Sequence, residues 1–179
     1  MGELLTLWKR AVDDKTEFIE RIIGLLNDND IRYCLIGGVA LNAYVEPVFT
    51  ADLDVAIAVE DLDRLRALVE PHFRVKEFEH SLNVSEPGVR LQVQFQLEPE
   101  YAEFVSRAER RDVLGLTVPV ASMRDLLQGK IWAANDPSRR RSKHLKDLSD
   151  IARLVEAEPS LAAELPPNIA EQIGLSQSN

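Results

Sequence analysis

Tyr33-Cys34-Leu35-Ile36-Gly37-Gly38-Val39-Ala40-Leu41-Asn42-Ala43-Tyr44, continued by Thr50-Ala51-Asp52-Leu53-Asp54-Val55-Ala56-Ile57-Ala58, is the stretch on which the fold turns. The first four residues are a short apolar run that stops at two glycines, and helix formers follow at once, so a strand, a tight turn and a short helix are expected. Adjacent glycines suit a corner where backbone must come close to a phosphate. The second segment alternates: Asp52 and Asp54 share one face of a strand while Leu53, Val55 and Ile57 share the other. At roughly 3.3 Å of rise per residue, the two Asp Cα atoms lie about 6.6 Å apart, close enough for both carboxylates to reach one divalent ion. Unpartnered, such charges repel and raise a pKa, a penalty that a bound cation removes.

Working outward, Leu4, Leu7, Trp8 and Ala11 recur at helical spacing, and Thr16 is placed to cap a second helix carrying Phe18, Ile19, Ile22, Ile23 and Leu26. A helical hairpin or one broken helix is expected, delivered to the first strand by the turn at 27–30. After the Asp strand, Asp61 heads a helix with Leu62, Leu65, Leu68 and Val69 inward, ended by Pro71. Strand character then runs from Phe73 to Leu97, with Glu86-Pro87-Gly88 as a hairpin turn. Leu91 to Leu97 alternates strictly and puts Gln92, Gln94 and Gln96 on one face. Glu100 to Arg110 reads as an amphipathic helix, and Val113 to Val120 as a hairpin or edge strand because Pro119 cannot donate to a ladder. Ser122 with Asp125 resembles a capping box for a helix carrying Leu126, Leu127, Lys130 and Ile131, ended near Asp136-Pro137. The next helix, Lys143 to about Ala157, turns Leu145, Leu148, Ile151, Leu154 and Val155 inward and leaves Lys143, Asp147 and Asp150 on its polar side. Beyond Pro159 a short helix followed by disorder is expected.

The Gly37-Gly38 corner followed by Thr50-x-Asp52-Leu53-Asp54 resembles the nucleotidyltransferase superfamily that shares the polymerase β palm, and within it the AbiEii and MNT-like proteins, often encoded in toxin–antitoxin operons. The likeness covers about two-thirds of the chain, Ile31 to Leu154, because late elements occur in that family's order: Lys130, Arg139 to Arg141, then Lys146-Asp147-x-x-Asp150. The resemblance implies an α/β (α+β) nucleotidyltransferase fold, a small mixed sheet flanked by helices, in one domain over 1–158: N-terminal helices at 1–30, a sheet core at 31–121, helices at 122–158, and a tail at 159–179. It implies Mg²⁺-dependent (or Mn²⁺-dependent) transfer of a nucleoside monophosphate from an NTP to an acceptor hydroxyl on tRNA, protein or a small molecule. Asp52, Asp54, Lys130 and Asp147 would be catalytic; Gly37, Gly38, Thr50 and Arg141 or a neighbour would bind the nucleotide; Asp52, Asp54 and Gln94 would hold the metal. The N-terminus of the short helix after the glycines would receive phosphates. Gln94 stands where the superfamily carries a third carboxylate, and Val48 where many AbiEii-like chains carry an arginine. Hence the alternative of a nucleotide-binding toxin–antitoxin component with weakened turnover.

Composition fits. The chain of 179 residues is 45% hydrophobic and 28% charged, as one compact domain requires. No apolar run approaches the roughly 18 residues of a membrane span, and the N-terminus lacks a signal-peptide layout, so a soluble cytoplasmic protein is expected. Cys34 is the only cysteine, which excludes an intramolecular disulfide and reads as a buried thiol. A net charge of −9 disfavours sequence-blind nucleic-acid binding. His72, His80 and His144 show no metal-ligand spacing. Asp147 and Asp150, three apart on a helix, could equally pair with Lys143 or Lys146.

Overall fold

The computed structural model describes residues 2–48, 50 and 52–175, with side chains described from residue 15 onward. Seven strands, β1 (Tyr33–Ile36), β2 (Asp52–Ile57), β3 (Arg74–Glu77), β4 (Ser81–Ser85), β5 (Gln92–Gln96), β6 (Glu109–Val113) and β7 (Leu116–Val120), form one sheet in the order β3-β4-β5-β2-β1-β7-β6. The sheet is mixed: β2 runs parallel to β5 and β1 parallel to β7, while the other neighbours are antiparallel. Among the described residues seven α-helices accompany it: α1 (Gly2–Asp28), α2 (Gly37–Leu41), α3 (Leu62–Val69), α4 (Pro99–Ser106), α5 (Met123–Asn135), α6 (Arg141–Ala157) and α7 (Pro167–Gln172).

Register converts the alternation of the sequence into two unlike faces. Leu53 lies beside Val93 and Val55 beside Phe95 across β2 and β5, and β4 continues both rows with Val84 and Leu82. All six are fully buried or nearly so, in one core with Phe18, Ile22 and Leu26 of α1 and Leu65 of α3. Each such side chain contributes about 1.5–3 kcal/mol by leaving water. Phe18 also meets Phe73 edge-on at 5.6 Å between centroids. On the opposite face the same register aligns Asp52 with Gln92 and Asp54 with Gln94. There α4 lies against β1 and β2, and α5 pairs with α6. One end of the acid-bearing strand therefore opens into a cleft between sheet and helices.

Several expectations need correction. α1 is one continuous helix, so Thr16 lies within it and not at the start of a second one; the side chains of Leu4, Leu7, Trp8 and Ala11 lie outside the described residues. α4 stops at Ser106 and residues 109–113 become the edge strand β6, since β6 gains a ladder with β7 through the Leu114-Gly115 turn, whose φ values are 54° and 80°. β7, with Pro119, is therefore internal rather than an edge, and its pairing with β1 is confined to Leu35↔Val120. Asp61 precedes α3 but its carboxylate accepts from the Arg32 backbone N–H and from Arg64 rather than capping the helix. The tail, expected to hold a short helix followed by disorder, packs down as far as it is described, to residue 175: Leu161, Leu165, Ile169 and Ala170 are buried, which supplies the apolar area that holds a short 3-10 turn and the helix α7 in place. Among the described residues no helix is long and apolar enough to cross a membrane.

Candidate active site

The corner after β1 is built on Gly37, whose φ of +67° is open to glycine and strained for other residues. A Cβ there would lie 2.2 Å from Asp54 Oδ2, so the backbone and the carboxylate are packed against each other. Gly38 follows in an ordinary helical conformation. A Cβ on it would stand 3.3 Å from both Lys146 Nζ and Thr50 Oγ1, so this glycine is the floor of a small space between the threonine and a cation. α2 is only five residues long, too short for much macrodipole. Side-chain cations therefore supply most of the positive charge at this corner, with Lys146 at its edge and Lys143 and Lys130 on the same wall.

The loop that returns the chain from α2 to β2 is pinned twice. Asn42 Nδ2 donates to the Val48 carbonyl at 2.9 Å while its Oδ1 accepts from the Val48 N–H at 3.0 Å. Arg153 donates to the Glu46 carbonyl with one arm and to Asp150 Oδ1, at 2.9 Å, with the other. These ties deliver Thr50 and the two acids to the corner.

Asp54 has no ion pair among the described residues. Burial pushes its carboxyl up to about 6; Lys130 opposes that rise and Asp52 adds to it. Asp52 is more open and has Lys143 Nζ 3.8 Å from its Oδ2. Gln94 is the lateral neighbour of Asp54 on β5, where its amide can offer an oxygen but no charge. Among the described residues no cluster of three or more His, Cys, Asp or Glu side chains is arranged to hold a metal alone.

Facing the acids, α5 and α6 carry a buried ion network. Lys130 Nζ lies 2.9 Å from Asp147 Oδ1 and 2.7 Å from Asp150 Oδ2. Burial works to lower the Lys130 pKa, yet Asp150 and Asp147 together hold it above its usual value. Asp147 gives its second oxygen to Arg139, at 2.8 Å to Nε and 2.7 Å to the terminal nitrogen. Asp150 also binds Lys146 at 3.1 Å; burial tends to raise its pKa, but Lys130 and Lys146 more than offset this and it is lowered. Asp147 and Asp150 are thus 1% and 3% exposed, not on a solvated face. Helical spacing put them on the polar side of α6 and left a pairing with Lys146 open, which Asp150 makes; it could not see that the lysine arriving from α5 buries that side. Leu145, expected inward, is 54% exposed instead.

The cleft wall includes Gly37, Gly38, Thr50, Asp52, Asp54, Gln94, Lys130 and Asp147, so nearly every residue singled out from the sequence converges on it. Arg141 does not. It is exposed in the first turn of α6, and Arg139, two residues earlier, occupies the cleft because the chain turns into the helix at Arg140. Lys143 and Lys146 also line the cleft, one α6 turn apart; the basic run was legible, its lining members were not. Gln96 and Tyr101 complete the wall beyond the acids. Nothing in the sequence marked Tyr101 out from an ordinary core aromatic. Cys34 is buried, its thiol pushed up to about 12 by burial and, secondarily, by Asp125, which leaves it inert.

An acid pair against a glycine corner, faced by several cations, is an arrangement that can orient a polyphosphate. The structure resembles the antibiotic-resistance factor ANT(2'')-Ia in its complex with adenylyl-2''-tobramycin, at 18% identity and a TM-score of 0.57, covering 88% of this chain and 95% of that one. It also resembles an antigenic nucleotidyltransferase-like protein from Paracoccidioides brasiliensis, at 17% identity and 0.53, covering 91% and 94%. The lincomycin-bound lincosamide antibiotic adenylyltransferase LnuA matches at 9% identity and 0.51, covering 76% and 95%. At these identities the likeness establishes the fold. No curated protein matches the sequence. The family model of the nucleotidyltransferase AbiEii toxin of type IV toxin–antitoxin systems matches residues 25–174, and the chain belongs to that family of nucleotidyltransferases.

Proposed function

We propose that this cleft takes a nucleoside triphosphate with Mg²⁺ and passes its nucleoside monophosphate to an acceptor hydroxyl. The observation that carries the reading is the contact between Gly37 and Asp54, with Gly38 lying under Lys146 on the same wall. It brings a carboxylate that lacks a cation partner beside a surface free of side chains and topped by an ammonium group.

The donor set fits the ion. Asp52 and Asp54 offer hard oxygens from one strand face, Gln94 adds an amide oxygen, and Mg²⁺ commonly takes one or two carboxylates and completes its shell with substrate phosphates and water. A buried carboxyl held near 6 is the state that a bound cation would relieve. When bound, the ion would neutralise charge on the phosphoryl oxygens. The chain's own residues do the rest. Gly38 admits the β- and γ-phosphates, Lys146 and Lys143 pair with them, and Thr50 offers a hydroxyl at the rim. Arg139, aimed by Asp147, covers the departing pyrophosphate. Lys130 holds Asp147 and Asp150 in place, so its role is positioning more than direct contact.

The test uses the protein with each α-labelled NTP, Mg²⁺ and, separately, total tRNA, the protein itself and tobramycin as acceptors. Label should move to one of them, and Asp52→Ala should abolish the transfer. A second reading, nucleotide binding without turnover, draws on Gln94 in place of a third carboxylate and on the full occupancy of both Asp147 oxygens. Tight Mg²⁺-dependent nucleotide binding with no label transfer to any acceptor would favour it.

A further inference from the structure

Beyond the Asp pair, one cleft wall is aromatic and differs from the ionic wall opposite. Tyr101 meets Phe104 edge-on at 5.4 Å and Trp132 edge-on at 5.5 Å, while Phe104 and Trp132 stack at 5.7 Å with an interplanar angle of 8°. Three rings in mutual contact fix the Tyr101 ring without using its hydroxyl. From α5, Gly129 lets the ring approach: a Cβ there would be 3.4 Å from Tyr101 Cε1 and 3.9 Å from its hydroxyl oxygen.

The hydroxyl itself has no hydrogen-bond partner among the described residues, although Tyr101 lines the cleft together with Asp54, Gln94 and Arg139. Tyr101 is only partly buried and its hydroxyl is not among the buried unpaired polar atoms, so the group opens to the cleft, where a ligand can reach it. Tyr101 shares the cleft wall with Asp52, Asp54 and Gln94 on one side and with Arg139 and Asp147 on the other, the proposed metal ligands and the proposed pyrophosphate contact. A nucleotide held by both groups would bring its α-phosphate along that wall. Burial pushes the phenol up to about 12, Glu98 and Asp54 add to the rise, Arg139 opposes it and Asp147 adds to it.

We propose that Tyr101 is a catalytic residue whose hydroxyl donates a hydrogen bond to a non-bridging α-phosphate oxygen of the nucleotide. The inference rests on the nucleotidyltransfer reading above and deepens it. The phenol keeps its proton throughout, so the group acts as a fixed neutral donor and not as a base. Its contribution comes from being held in position before charge gathers on that oxygen. The aromatic wedge supplies the rigidity, and the absence of a competing partner leaves the donor available.

Tyr101→Phe isolates this role because the ring and its contacts remain. Transfer of label from each α-labelled NTP into total tRNA, the protein itself and tobramycin is measured for both proteins, together with their melting temperatures. The expected result is a kcat about a hundredfold lower at saturating nucleotide, by analogy with the loss of one oxyanion donor, with KM for the nucleotide little changed. The melting temperature should stay level, since the ring contacts remain and the hydroxyl makes no hydrogen bond to another described residue. A merely structural tyrosine would give the opposite pattern, a lower melting temperature with kcat intact, and that result overturns the proposal. So does a raised KM with unchanged kcat, which would make the hydroxyl a ground-state binding contact. If the unaltered protein transfers label and Tyr101→Phe transfers it equally fast, this inference fails alone. If the unaltered protein transfers none, the parent reading fails with it.

Discussion

Replacing Gly37 with alanine perturbs the site at its narrowest point, and the neighbouring Gly38 provides the control. At Gly37 the backbone φ of +67° costs an L-residue about 1–2 kcal/mol. The new Cβ would fall 2.2 Å from Asp54 Oδ2, whereas carbon and oxygen settle at about 3.3 Å or beyond. The carboxylate must therefore retreat by about 1 Å. Asp54 Cγ and Cβ would stand only 2.9 and 3.0 Å away as well, so rotating the carboxylate does not by itself clear the methyl, and a total of at least about 2 kcal/mol follows. For a chain of this size that lowers the melting temperature by about 4–8 °C. The catalytic cost is larger, since a misplacement of about 1 Å at a reacting group is worth on the order of a hundredfold in rate. At Gly38 the conformation is not strained and a Cβ would stand 3.3 Å from the mobile Lys146 Nζ and from Thr50 Oγ1. Gly38→Ala should leave stability within about 1 kcal/mol and instead raise KM for the nucleotide roughly tenfold, by filling the phosphate floor. Thermal melts paired with steady-state label transfer read both effects. A Gly37→Ala protein with the original melting temperature and turnover would refute the reasoning, as would a Gly38→Ala protein that is the less stable of the two.

Other expectations are simpler to state. Lys130→Met leaves Asp147 and Asp150 buried without their shared cation and should cost about 3–5 kcal/mol, measured by urea denaturation. Asp54→Asn should show a gain in stability that depends on pH. The folded carboxyl titrates near 6 and the unfolded one near 3.8, so between those values the native state holds the extra proton and stability falls as pH rises. The gain of the Asn variant should thus be absent below about pH 4 and fully developed above about pH 6; a gain of equal size at pH 3.5 and 7 contradicts this. Gly24→Ala, in the interior of α1 with open space around the new methyl, should add about 0.8–1 kcal/mol and raise the melting temperature by a few degrees.

The strand–corner–strand unit was legible because each of its parts is a local property. An apolar run, two glycines and a strict alternation dictate a strand, a turn and a two-faced strand wherever they occur. The assignment of Gln94 to a place beside Asp54 came from the family resemblance, and the parallel register of β2 and β5 places it there. Where the reading failed, the deciding partner was distant in sequence. Asp147 and Asp150 were placed on the polar side of their helix, but that this side is buried was not legible because Lys130, which covers them, arrives from another helix. Arg141 stood in for Arg139 because the turn at Arg140 sets which basic side chain enters the cleft. Residues 109 and 110 looked helical until β7 offered them a ladder. Tyr101 was invisible for a related reason: that its hydroxyl goes unpaired follows from the whole set of neighbours and not from its own stretch of chain.

The most direct measurement is a crystal of the protein grown with Mn²⁺ and a non-hydrolysable NTP analogue, with the ion located by its anomalous scattering. The account predicts the ion about 2.1 Å from oxygens of both Asp52 and Asp54, with the triphosphate lying over Gly38 and within reach of Lys146. An ion bound elsewhere, or a nucleotide whose phosphates leave the Gly37-Gly38 corner empty, would contradict it.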